Sequence, residues 1–113
     1  MTDSYVAVDL ETTGIGAKRE KITEIGMVKV VDGQVTDTFH TLINPHRKIP
    51  EEIVRLTGID DEMVKDAPGI EAVMPEVIRF CEGFPVLGHQ VIFDYGFLKQ
   101  AAVNQKLEFE KEG

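Results

Sequence analysis

Apolar positions along the chain follow two rhythms. Near the N-terminus they come in short β-branched runs: YVAVDL at 5–10, then two longer runs on either side of Asp32-Gly33 in KITEIGMVKVVDGQVTDTFHTLINP. The first, continuous and short, predicts a central strand covered on both faces. An Asp-Gly pair between two such runs predicts a two-residue hairpin, which makes the second and third strands antiparallel. The polar, glycine-bearing IGAKREK between the first two strands predicts a surface loop.

After Asn44-Pro45 the rhythm lengthens. IPEEIVRLTGI offers Pro50 for a helix start, two acids for its first turn and Gly58 for its stop. In APGIEAVMPEVIRFCEG, the residues Ile70, Val73, Met74, Val77, Ile78 and Cys81 recur on one helical face. Pro75 lies inside that pattern and predicts a kink or a late helix start, because proline lacks a donor and crowds the preceding turn. FPVLGHQ predicts a short buried strand. IFDYGFLKQAAVNQ predicts another helix, with Ile92, Phe93, Tyr95, Phe97, Leu98 and Ala101 as packing candidates. Strands followed by alternating helix and strand define an α/β class, a mixed sheet with helices packed on it.

Length and composition narrow the picture. The chain has 113 residues, enough for one core of two packed layers but not for two. No apolar run approaches the roughly 20 residues of a membrane span. Met1, Thr2, Asp3 and Ser4 lack the basic and apolar regions of a secretion signal, so a cytoplasmic location is expected. The single Cys81 has no internal disulfide partner and reads as a small buried thiol. A net charge of −8 argues against broad, metal-independent binding of a duplex. It leaves room for nucleic acid held through bound cations, which reverse the local field.

The candidate chemistry sits at the exit of the first strand, VAVDLETTG. Alternate strand residues share a face, so Asp9 and Glu11 project together. Two adjacent carboxylates raise each other's pKa unless a cation or donor compensates. Hard oxygen ligands of this kind suit Mg²⁺ or Mn²⁺ rather than zinc. Taken alone, such a pair is also what a solvated strand end looks like. A third acid, Asp94, follows the next apolar strand in GHQVIFDYGFL. If the first and fourth strands are parallel neighbours, their C-terminal ends meet at one sheet edge, where open α/β sheets bind ligands, and Asp94 faces Asp9 and Glu11.

These two stretches resemble the first and second motifs of the DnaQ-like (DEDD) 3′→5′ exonucleases, the family of the proofreading epsilon subunit of bacterial DNA polymerase III and of the PolC exonuclease domain. The intervening EIGMVKV and LINPHRKIPEEIVRLTGIDDEMVKDAP follow the family pattern too, so the likeness covers essentially the whole chain. It implies a ribonuclease H-like mixed sheet of strand order 3-2-1-4-(5), strand two antiparallel, flanked by helices and truncated at the C-terminus. It also implies two divalent cations, Mg²⁺ or Mn²⁺, held by Asp9, Glu11 and Asp94 about 3.5–4 Å apart. Leu10, Thr12, Thr13, Gly14, Ile15, Leu56, Thr57, Ile59 and Phe93 match positions around the terminal nucleotide. The implied activity is proofreading hydrolysis of single-stranded 3′ ends of DNA, releasing nucleoside 5′-monophosphates, in partnership with a replicative polymerase subunit.

Two departures from the family pattern carry consequences. Gln90 stands where the family has Asn, and the third motif, with its general-base His and fourth metal-binding Asp, does not occur within these 113 residues. His40, His46 and His89 lie in other contexts. The preferred reading is therefore a piece of a longer exonuclease, itself nearly inactive; a non-catalytic nucleic-acid or polymerase-binding module and an RNA exonuclease are the alternatives. A sheet without its fifth strand is expected to expose an edge that favours homodimers.

Overall fold

A computed structural model describes residues 3–14, 20–88 and 100. Among residues 3–88 as described, four strands and three helices run in the order β1 (Tyr5–Thr12), β2 (Ile22–Val31), β3 (Gln34–Leu42), α1 (Glu51–Thr57), α2 (Asp61–Val64), α3 (Ile70–Cys81) and β4 (Val86–Gly88). The sheet order is β3-β2-β1-β4. β2 is antiparallel to both β1 and β3, whereas β4 is parallel to β1, pairing Val6 with Val86 and Val8 with Gly88. This is the expected order for the four described strands. A fifth strand, the edge beyond it and the helix read over 92–105 lie outside the described residues, Gln100 excepted.

The hairpin forms at Asp32-Gly33, whose φ angles of 52° and 79° are both positive, as the tight turn between twisted strands requires. Its tip is stitched to the N-terminal segment: Gly33 N–H donates to the Asp3 carbonyl (2.9 Å) and Asp32 N–H to Ser4 Oγ (3.0 Å). α1 begins after Pro50 and stops at Gly58, which takes a left-handed φ of 79° and donates its N–H to Val54. α2 was not foreshadowed, since four residues are too few to display a period. Asp60 caps it by accepting from Met63 N–H at 2.9 Å.

α3 starts at Ile70 and runs through Pro75, so the late start does not occur. An internal proline costs about 3 kcal/mol. Against that, Val73, Met74, Val77 and Cys81 are buried, each large apolar side chain contributing about 1.5–3 kcal/mol. Tertiary burial outweighs the local penalty. These side chains join Val6, Val8, Leu10, Ile25 and Met27 in the main core. Cys81 is fully buried there with Sγ 3.8 Å from Met27 Sδ. A second cluster of Ile49, Ile59 and Val64 packs with Leu42, Ile53 and Val54.

β1 departs from expectation in one respect that bears on function. It is central, but its burial alternates: Val6, Val8, Leu10 and Thr12 are buried while Asp9 is exposed and Tyr5, Ala7 and Glu11 are intermediate. Among the described residues, α3 supplies the core on one face. In β4 Val86 is buried but Leu87, beside Ala7, is exposed. The second face of the sheet carries the acids.

Candidate active site

Strand register decides which side chains gather around the acids. Asp9 stands opposite Gly26, and Gly26 opposite His40; one row further on, Glu11 stands opposite Glu24, and Glu24 opposite Leu42. Cross-strand partners share a face. Asp9, Glu11, Glu24 and His40 therefore lie on one side of the sheet at the C-terminal end of β1. His40 Nε2 contacts Glu24 Oε2 directly.

Gly26 leaves the floor between Asp9 and His40 open. A Cβ there would meet the Asp9 carbonyl oxygen at 3.9 Å and His40 Cδ2 at 4.0 Å, so any longer side chain would fill the space. The result is an open groove of about 800 Å³ crossing three strands, lined by Ala7, Asp9, Gly26, Val28, Thr38 and His40 among others.

Glu11 titrates above the ordinary glutamate value. Burial is the leading cause, followed by the negative charges of Asp9 and Glu24. A cation beside these carboxylates would relieve that repulsion, and their oxygens suit a hard divalent ion such as Mg²⁺ or Mn²⁺. The donors thus fit the expected ions in chemistry. In number they fall short: among the described residues, no group of three potential ligands could hold a metal. Asp94, Ile15 and Phe93 lie outside the described residues.

The other expected site residues fall into distinct environments. Thr12 is buried, and its hydroxyl donates to the Gly14 carbonyl at 2.6 Å. Thr13 is 2% exposed and locked by three bonds. Its Oγ1 donates to Glu20 Oε1 (2.7 Å) and accepts from Lys21 N–H (2.9 Å), while its N–H donates to the Lys21 carbonyl (2.8 Å). The Glu20 side chain crosses Gly14, where a Cβ would lie 3.0 Å from Glu20 carbons. Leu10 belongs to the main core and Ile59 to the second cluster. Thr57 Oγ1 bonds the Ile53 carbonyl and the Ile59 N–H. Leu56, by contrast, is 80% exposed, an unusual position for a large apolar side chain.

Sequence reasoning did not place Glu24, His40 or Glu20 beside these residues. Alternation along β2 puts Glu24 on a face, but only the register with β1 sets it opposite Glu11.

The chain belongs to the exonuclease family RNase_T, whose model matches residues 6–112. Among its relatives, the PolC-type DNA polymerase III of Caldanaerobacter subterraneus subsp. tengcongensis is 42% identical over 106 residues, covering 94% of this chain and 8% of that protein. A putative bifunctional exonuclease/endonuclease protein of Mycobacterium tuberculosis is 47% identical over 105 residues, 88% of this chain and 16% of the relative. The chain therefore spans less than a fifth of these relatives' lengths. Escherichia coli exonuclease I in complex with a dT13 oligonucleotide superposes with a TM-score of 0.83 at 14% identity, over 95% of this chain and 25% of that one. That likeness establishes the ribonuclease H-like nuclease fold.

Proposed function

We propose that the chain is the metal-binding half of a 3′→5′ exonuclease site that hydrolyses the terminal phosphodiester of single-stranded DNA, releasing nucleoside 5′-monophosphates, and that it proofreads for a replicative polymerase in the cytoplasm. The observation that carries this reading is the pair Asp9 and Glu11 on one open face at the exit of β1, in a chain of the exonuclease family. Asp94, beyond the end of β4, is proposed as the third acid. Among the described residues, no helix is long and apolar enough to cross a membrane.

In this reading Asp9, Glu11 and Asp94 would hold two divalent ions, which would supply Lewis-acid stabilisation of the charge that develops on the phosphoryl group. The turn at Thr12, Thr13 and Gly14, kept rigid by Glu20, sets backbone groups near the terminal nucleotide, with Ile15, Thr57 and Phe93 around the sugar. Leu56 supplies an exposed apolar face for the last base, Ile59 belongs to the buried cluster beyond the end of α1, and Leu10 lies in the core beneath the acids. Stacking of this kind tolerates any base. The test is 3′-end trimming of labelled single-stranded DNA and RNA with Mn²⁺ by a longer chain that carries the third motif. Asp9→Ala is expected to abolish it, and normal rates in that variant would refute the assignment. These 113 residues alone, in which no counterpart of the third motif follows the second-motif stretch GHQVIFDYGFL, are expected to trim negligibly.

A further inference from the structure

The chain has a net charge of −8, yet among the described residues three cations, Arg47, Lys48 and Lys65, line one groove outside the acid face. The segment between β3 and α1 and the end of α2 enclose an open groove of about 500 Å³ lined by Asn44, His46, Arg47, Lys48, Asp61 and Lys65. Asn44 joins its two walls. The Asn44 Oδ1 accepts from His46 N–H (2.8 Å), Nδ2 donates to the Lys65 carbonyl (3.2 Å), and its own N–H donates to the Pro68 carbonyl (2.9 Å). His46 is held with φ at 56°, a conformation non-glycine residues adopt only where surroundings enforce it. The groove's one acid, Asp61, accepts from Ile49 N–H.

The groove opens at the same end of the sheet as the acids, because β3 delivers its chain at Leu42, in register with Glu24 and Glu11. It is also linked to the turn after β1: Arg47 Nη1 donates to Glu20 Oε1 (3.2 Å), the oxygen that Thr13 bonds. Lys65 pairs with Glu62 and His46 with Glu71, both glutamates more than 60% exposed. Such exposed pairs contribute little and exchange readily for a stronger anion. Among the described residues, no acid pairs with Lys48.

We infer that this groove binds the phosphodiester backbone of a single-stranded nucleic acid upstream of its 3′ end, through Lys48 and Lys65. The inference rests on the nuclease reading for what lies at that end, but the groove's cations are independent of the acids. Each phosphate contact on a single strand contributes about 0.7 to the slope of log affinity against log salt. The test measures binding of the full chain to a dT oligonucleotide in EDTA between 50 and 200 mM salt. Lys48→Ala with Lys65→Ala is expected to weaken binding at low salt and to flatten the slope by about 1.4, so wild type loses about sevenfold more affinity across that range than the double variant. Arg79→Ala on α3 controls for charge alone. An unchanged slope in the double variant, or an equal change in Arg79→Ala, overturns the groove. The two readings fail separately: trimming that survives Asp9→Ala removes the assignment of the site to the acids of β1 while leaving a flattened slope in place.

Discussion

Replacing Glu11 by Gln isolates the electrostatic cost of the acid face. Because burial and the charges of Asp9 and Glu24 push the Glu11 pKa up, the fold favours its protonated form. Its contribution to stability is thus fully present below the ordinary value of 4.5 and is lost as pH rises through the higher folded value. At pH 7 in EDTA, the ionised side chain works against the fold. Side chains two apart on a strand are roughly 7 Å apart. Two charges at that distance repel by about 0.6 kcal/mol in water and about 2.4 kcal/mol at an effective dielectric of 20. Asp9 is exposed, which favours the weaker end, so Glu11→Gln should stabilise the metal-free protein by about 1 kcal/mol, or roughly 4 °C in Tm. Thermal melts followed by circular dichroism should show that gain at pH 7 and none at pH 3.5. Adding Mn²⁺ should reverse the order, since an ion held at 100 times its Kd adds about 2.7 kcal/mol to a protein that binds it. A variant less stable than wild type at pH 7 in EDTA, or a gain independent of pH, would refute the reasoning.

Three further outcomes are open to measurement. Met74→Ala, emptying a fully buried position of α3, should cost about 2–5 kcal/mol in urea unfolding. Thr13→Val keeps the shape but strands Lys21 N–H and loses the bond to Glu20, for about 1–3 kcal/mol by the same assay. Leu56→Ala should leave Tm within a degree or two of wild type, given its exposure, while weakening binding of a dT oligonucleotide; unchanged binding would remove Leu56 from the nucleotide's surroundings.

The local signals read correctly were those whose cause is itself local. Asp32-Gly33 specifies its turn through the φ angles it tolerates, Gly58 ends α1 for the same reason, and alternation alone puts Asp9 and Glu11 on one face. What escaped depends on contacts distant in sequence. The β1–β2 register brings Glu24 opposite Glu11, and the β2–β3 register places His40 next to it. Thr13 is expected around the terminal nucleotide, yet it is buried and its hydroxyl is taken by Glu20, seven residues on. Pro75 obeyed the core rather than its own backbone preference. Asp94 is the expectation on which the third ligand depends, and it lies outside the described residues.

The stitch between the hairpin tip and Asp3 and Ser4 has a practical corollary. Tyr5 and Glu11 are about 20 Å apart along β1, so a polypeptide or probe joined ahead of Asp3 emerges at the far end of the sheet from the carboxylates. A fluorophore or surface tether attached there should report on the domain without shading its acidic rim, whereas one inserted near Gly14 would crowd it.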